Sequence, residues 1–157
     1  MAQLKDRWQA IVRTVRENES PSQWNPATSA EIQRAEKALG FVFPRTYKWF
    51  LETFGFCFWP TMIYGLGDSL PEGFSIIHVT EQERHQVEPE LPLPLIPFAP
   101  DGAGNHFCLD TAQMVKEECP VVFWDHEGEE DQERVPLYPT FLDWLEHEAA
   151  EEIAEEE

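Results

Sequence analysis

Two groups of residues in this 157-residue chain have side chains that could carry out chemistry. His106 and Cys108 are two residues apart in an apolar segment, and a Cys beside a His can form a nucleophile and its base. In a β-strand, residues two apart point to the same face about 7 Å from each other, which is too far for direct proton transfer. The spacing therefore favours Cys108 as a small core residue, with His106 at the end of a strand.

The second group is a set of acidic residues around one His: Asp125, His126, Glu127 and Glu129. One His among carboxylates binds divalent cations weakly, and none of the H-x-x-x-H, H-E-x-x-H or D-x-D-x-D-G patterns is present. We therefore predict no catalytic residue, no metal ligand and no cofactor. A small hydrolase that uses His106 with Cys108, or a metal at Asp125 and His126, is the least favoured of three hypotheses.

Charge is the most informative bulk property of the chain, since 11 Lys and Arg face 30 Asp and Glu for a net charge of −19. Residues 127–133 and 143–157 together hold thirteen carboxylates and no Lys or Arg. A phosphate-binding surface needs clustered cations, so direct binding to nucleic acid is disfavoured. The first acidic cluster directly follows the apolar segment VVFW, so we expect the fold to present it at a fixed place, where it suits a cationic partner.

Helices are predicted for the first third of the chain. The opening helix has an apolar face with helical spacing and ends before Pro21. Thr28 and Glu31 form a capping box for a second helix, which Gly40 ends. A third helix begins near Pro44 and runs to Gly55.

Short strands are predicted for the middle of the chain, in the segments FCFWP, MIYGL and FSIIHV, with a short exposed helix over 80–88. The proline-rich run 89–100 is expected to be extended and to enter an edge strand. A hairpin is then predicted, with the strands LIPFA and HFCLD joined by a Pro-Asp-Gly turn. VVFWD predicts the next strand. A last helix begins near Pro139. The prediction is one α+β domain over residues 1–149, followed by a frayed acidic tail over 150–157.

The three cysteines indicate the cellular compartment of the protein. They are widely spaced, odd in number and without a C-x-x-C motif. They are typical of reduced thiols in a cytoplasmic protein. No apolar run approaches the roughly 20 residues that span a bilayer, and no secretion signal is predicted.

Several segments of the chain form one recognisable pattern. Its opening part comprises Thr28-Ser29-Ala30-Glu31-Ile32 with Glu36, Leu39-Gly40-Phe41-Val42-Phe43-Pro44, Tyr47-Lys48-Trp49-Phe50-Leu51 and Gly55. Its later part comprises Ile63–Leu66, the hairpin Leu95–Asp110, the PVVFWDHE segment at 120–127, and Phe141, Trp144 and Leu145. Together these segments resemble the signature of the SUKH superfamily. The likeness covers about residues 26–148, and most of the matching positions are structural.

The resemblance implies a non-enzymatic α+β binding domain with N-terminal helices, a mainly antiparallel sheet and a C-terminal helix. Bacterial members are typically immunity proteins that bind a toxin, often a nuclease, whereas fungal relatives regulate cell-wall synthesis. Our first hypothesis is an immunity protein for a cationic toxin domain, because an anionic inhibitor can occupy the cationic surface of a nuclease. The second is an intracellular regulatory or scaffold domain that binds a host protein. Both leave the oligomeric state open.

Ten residues are our candidates for contact with the partner. They comprise two aromatic residues, the polar ends of the hairpin turn and the acidic segment that follows VVFW: Trp59, Tyr64, Asp101, Asn105, Asp125, His126, Glu127, Glu129, Glu130 and Asp131.

Overall fold

The structure is a computed structural model that describes residues 2–21, 24–67 and 69–156. Within these residues, apart from short 3-10 helices at Glu72–Phe74 and Thr111–Gln113, the main regular elements are five α-helices and a four-stranded sheet. In chain order they are α1 (Ala2–Asn18), α2 (Ser29–Leu39), α3 (Arg45–Thr53), α4 (Ile76–His85), β1 (Leu95–Pro100), β2 (His106–Asp110), β3 (Val121–Trp124), β4 (Pro136–Tyr138) and α5 (Phe141–Glu156). The predicted α+β architecture is confirmed.

Local signals define the first helices as the sequence predicts. The Thr28 hydroxyl accepts a hydrogen bond from the Glu31 backbone N–H at 3.1 Å, and the Glu31 carboxylate accepts one from the Thr28 N–H at 3.0 Å. Gly40 ends α2 in the left-handed conformation with φ 88°. These contacts satisfy groups that a helix end leaves without intrahelical partners.

The four strands form one antiparallel sheet in the order β1-β2-β3-β4, so the predicted hairpin and the VVFW strand are both present. One face carries Ile96, Phe98, Leu109 and Val121 into the main core beneath the helices. The other face, with Leu95, Cys108, Val122 and Trp124, packs around Leu91. Because Trp124 is almost fully buried, it anchors the chain at the point where the acidic segment begins.

The segment between α3 and β1 differs from the prediction. FCFWP and MIYGL form no strands and make only single bridges, Cys57 with Ile63 and Gly65 with Ser75. FSIIHV begins a helix, since the Ser75 hydroxyl caps α4 by accepting from the His78 N–H. Ile76 and Val79 are buried with helical spacing. A short apolar run fits a strand and a buried helix equally well, and here packing against β1 and α2 favours the helix.

The C-terminal segment, for which the sequence indicated a frayed tail over 150–157, is helical as far as Glu156, and residue 157 lies outside the described residues. Ala and Glu, the main components of this segment, are strong helix formers. The Glu156 carboxylate accepts a hydrogen bond from the Trp59 indole at 3.4 Å. One helical turn apart, His147 Nε2 lies 3.7 Å from Glu151 Oε1. The short strand β4 was not predicted from the sequence.

Candidate protein-binding surface

A side-chain clamp holds the acidic segment after β3. We call residues 125–131 the acidic loop. The Gln132 amide closes it, since its oxygen accepts from the Asp125 N–H at 3.0 Å and its nitrogen donates to the carbonyls of Asp125 and Glu129 at 3.0 and 2.9 Å. The Asp125 carboxylate also accepts from the Glu127 N–H at 2.9 Å. The loop therefore has a defined conformation of its own.

The hairpin turn between β1 and β2 makes a second set of contacts that hold the acidic loop. The Asn105 side-chain oxygen accepts from the His126 backbone N–H at 3.0 Å and contacts His126 Nδ1 at 2.6 Å. Asn105 is oriented in turn by Asp101, whose carboxylate accepts from the Asn105 backbone N–H at 3.0 Å and from its amide at 2.8 Å. Partial burial opposes ionisation of Asp101, but these bonds and one from the Ala103 N–H hold its pKa below the usual value.

Gly104 allows this contact between the turn and the loop. Its φ is +94°, and an added Cβ would lie 2.8 Å from the His126 ring. The imidazole of His126 thus rests directly on the glycine backbone, which fixes the ring at the edge of the loop.

An open groove of about 740 Å³ runs beside the loop. Its described lining contains five carboxylates and no Lys or Arg: Glu88, Glu127, Glu129, Glu130 and Asp131, together with Pro89, His126 and Gly128. The loop carboxylates are exposed, Glu127 to 83%. The structure therefore brings eight of the ten predicted contact residues, all those from the hairpin turn and the acidic loop, into one anionic surface.

The chain matches the model of a known protein family. A family model described as SUKH_5, SMI1-KNR4 cell-wall, matches residues 3–150. The chain belongs to the SUKH superfamily. The match extends beyond the region of resemblance in the sequence and includes α1, which packs on α5 through bonds from Arg7 to Asp143 and Glu146. Among the described residues of this SUKH domain, no helix is both long and apolar enough to cross a membrane.

In this SUKH domain, Trp59 and Tyr64 do not line the groove beside the acidic loop. Both side chains are buried. Phe58, which directly precedes Trp59, is exposed and packs edge-on against Phe56 and Phe74. The Glu19 carboxylate holds this segment by accepting from the Trp59 N–H at 3.1 Å. A role for Trp59 and Tyr64 in partner contact stays a prediction.

A buried polar cluster beneath the hairpin turn was missed by sequence reasoning. The Tyr64 hydroxyl lies 3.2 Å from His106 Nε2, and His106 Nδ1 lies 3.6 Å from the Glu83 carboxylate without a hydrogen-bond partner. Burial lowers the pKa of His106 and raises the pKa of Glu83 and Tyr64. These three residues come from three distant segments, so no local pattern announces them.

The arrangement around Cys108 favours a structural role for the thiol. Burial raises the pKa of Cys108 well above its usual value, which keeps the sulfur protonated. Its Sγ lies 3.9 Å from the His106 carbonyl oxygen. In the described part of the chain, no group of three or more His, Cys, Asp or Glu side chains is placed to hold a metal ion.

We expect His106 to make stability depend on pH. Its folded-state pKa is lowered below 6.5, so the unfolded chain takes up a proton that the folded chain does not. The free energy of unfolding should therefore fall as the pH decreases below 6.5, until the folded-state pKa is reached. The titratable groups around the His106 imidazole are Glu83, Tyr64, Asp101 and His126. The raised pKa of Glu83 has the opposite effect on the free energy of unfolding, at lower pH.

Urea unfolding of the wild type and of His106→Gln across this pH range tests the expectation. The amide can still accept from Tyr64 but does not titrate, so the stability advantage of the wild type should shrink as the pH falls below 6.5. A constant difference between the two proteins would show that His106 does not titrate as a buried base.

Proposed function

We propose that the protein is an immunity protein, which binds a cationic toxin domain stoichiometrically and so protects the cell that makes it. The observation that carries this proposal is the acidic loop, which combines five exposed carboxylates with a conformation held by Gln132 and Asn105. SUKH domains generally bind protein partners, and an anionic surface attracts the cationic surface that a nuclease needs for its substrate.

Preorganisation is the physical advantage of this loop. A segment that must become ordered on binding loses about 1–2 kcal/mol per residue in backbone entropy. The bonds from Gln132, Asn105 and Asp125 fix the backbone of the acidic loop in the free protein. Its carboxylates can therefore meet cationic side chains with little further ordering.

The proposal assigns no catalysis, cofactor or direct contact with nucleic acid to the protein. It also assigns the protein to the cytoplasm, consistent with three buried cysteines that are all free thiols. A second candidate function is an intracellular regulatory or scaffold domain that binds a host protein. The family description, SMI1-KNR4 cell-wall, is the observation that favours it.

Binding to the product of a neighbouring toxin gene tests the proposal. The toxin domain is purified, and its association rate with this protein is measured at low and high salt. We expect a tight one-to-one complex whose association rate falls steeply with salt, because charges are screened beyond about 8 Å at physiological ionic strength. We also expect co-expression to rescue cells that produce the toxin.

Each outcome decides a different part of the proposal. The absence of both a complex and rescue would favour the regulatory function. A tight complex whose association rate does not change with salt would remove electrostatic steering while leaving the immunity role.

A further inference from the structure

The N-terminal third of the chain differs in charge from the anionic surface. Residues 1–54 hold eight of the eleven Lys and Arg but only six of the thirty Asp and Glu. The net charge of −19 therefore arises entirely in the remaining residues. The helices α1–α3 form a slightly basic layer on an otherwise strongly acidic protein.

A groove between α1 and α3 concentrates this basic character. Two adjoining cavities of about 180 and 510 Å³ share Trp8, Gln9 and Thr53. We call them together the α1–α3 groove. Trp8, Val12 and the half-buried Trp49 give it an apolar floor, and the Trp8 and Trp49 rings are 6.1 Å apart.

The described lining of this groove contains three exposed cations, Lys5, Arg13 and Arg16, and one carboxylate, from Glu52. Arg16 lies over the Trp24 ring at 5.9 Å. Within the described residues none of the three has an ion-pair partner, whereas Arg7, Arg45 and Lys48 on the same helices all do. Unpaired cations around an apolar floor, in a protein with thirty carboxylates, suit an acidic segment with an apolar anchor.

The chain itself contains such a segment at the end of α5. Ile153 is 36% exposed there, and it continues the helix face of the buried Leu145 and Ala149. On the helix surface, Glu152 and Glu156 flank Ile153. Within one molecule this end contacts Trp59, whose indole donates to Glu156, and no described residue of α5 lines the α1–α3 groove. A contact between the helix end and the groove would therefore join separate copies.

We propose that the α1–α3 groove receives the C-terminal end of α5 from a second copy of this chain. Ile153 would pack on the tryptophan floor, while Glu152 and Glu156 would pair with Lys5 and Arg13. The contact is heterologous, because groove and helix end are different surfaces, so it links copies head to tail. It is independent of the proposed toxin binding, which uses the acidic loop.

The proposal is tested by sedimentation equilibrium of the full chain. The measurement is made at low salt, over a range of concentrations up to near millimolar. We expect reversible self-association that weakens at least about tenfold at high salt, because exposed ion pairs are screened. Lys5→Glu with Arg13→Glu should leave the protein monomeric, and so should Glu152→Lys with Glu156→Lys.

An equimolar mixture of the two double variants is the sharpest arm of the experiment. The groove variant keeps an acidic helix end and the helix-end variant keeps a basic groove, so the mixture should associate although neither protein does alone. Arg34→Glu with Lys37→Glu on α2 is the matched control, since both cations are exposed, lie outside the groove and have no ion-pair partner among the described residues. It should self-associate like the wild type.

Several results would overturn the proposal. A wild type that remains monomeric at the highest concentration shows that the groove does not bind a second copy. Unchanged self-association of the groove variant, or no association in the mixture of well-folded variants, assigns any contact to another surface. If the α2 control becomes monomeric as well, overall charge rather than the groove controls the association.

Discussion

Reversal of Glu129, Glu130 and Asp131 to Lys is expected to weaken binding to the proposed toxin partner by about 3 kcal/mol or more, at about 1 kcal/mol for each inverted contact. All three side chains are exposed on the acidic loop, and all three line its groove. Substitution therefore changes the surface charge without disturbing the core. Calorimetry with the cognate toxin domain at matched salt measures the loss.

A reversal of equal charge on α5 provides the control for this prediction. Glu151, Glu152 and Glu155 to Lys changes the net charge by the same amount at a different place. We expect it to reduce affinity much less, because only long-range attraction is altered. If the α5 variant is the more damaging of the two, the helix end is the binding element and the acidic loop is not.

Gln132→Ala separates the order of the loop from its charge. This variant retains every carboxylate but removes the three bonds that close the loop. Affinity should fall by less than in the triple reversal, with the loss appearing as an unfavourable entropy of binding. An unchanged affinity would show that the clamp contributes nothing to recognition.

Gly65→Ala is expected to destabilise the fold by about 3 kcal/mol or more, or to prevent folding. A Cβ at this position would lie 1.4 Å from the Gly55 carbonyl oxygen and 2.5 Å from its carbon. Backbone atoms cannot move aside as a flexible side chain can, and that oxygen also accepts from the Leu66 N–H at 3.1 Å. The two segments that meet here both resemble parts of the superfamily signature.

Urea unfolding of Gly65→Ala and of Gly73→Ala measures this effect against a matched control. A Cβ at Gly73 meets no atom within 4 Å, and its φ lies outside the left-handed region. We therefore expect Gly73→Ala to stay within about 0.5 kcal/mol of the wild type. Equal stability of the two variants would mean that the two segments do not approach each other this closely.

Elements whose physical cause is local were predictable from the sequence. The capping box of Thr28 and Glu31 and the left-handed Gly40 depend on groups a few residues apart. The Pro-Asp-Gly turn and the apolar alternation beside it likewise predicted the β1–β2 hairpin. The acidic loop was located after VVFW for the same reason, since a buried strand must end where a run of carboxylates begins.

Tertiary structure decided what depends on distant partners. FSIIHV forms the start of α4 rather than a strand because its neighbours are β1 and α2, and Tyr64 is buried because His106 lies opposite it. The end of α5 is helical where the sequence indicated a frayed tail.

The anionic surface combines both kinds of information. Its charges were evident from the sequence, but its shape depends on Asn105 bonding His126 across 21 residues and on Glu88 facing the same groove. The free energy of such contacts depends on distance in space rather than along the chain. Residue order alone could therefore indicate the chemistry of the surface, while only folding determined which side chains share it.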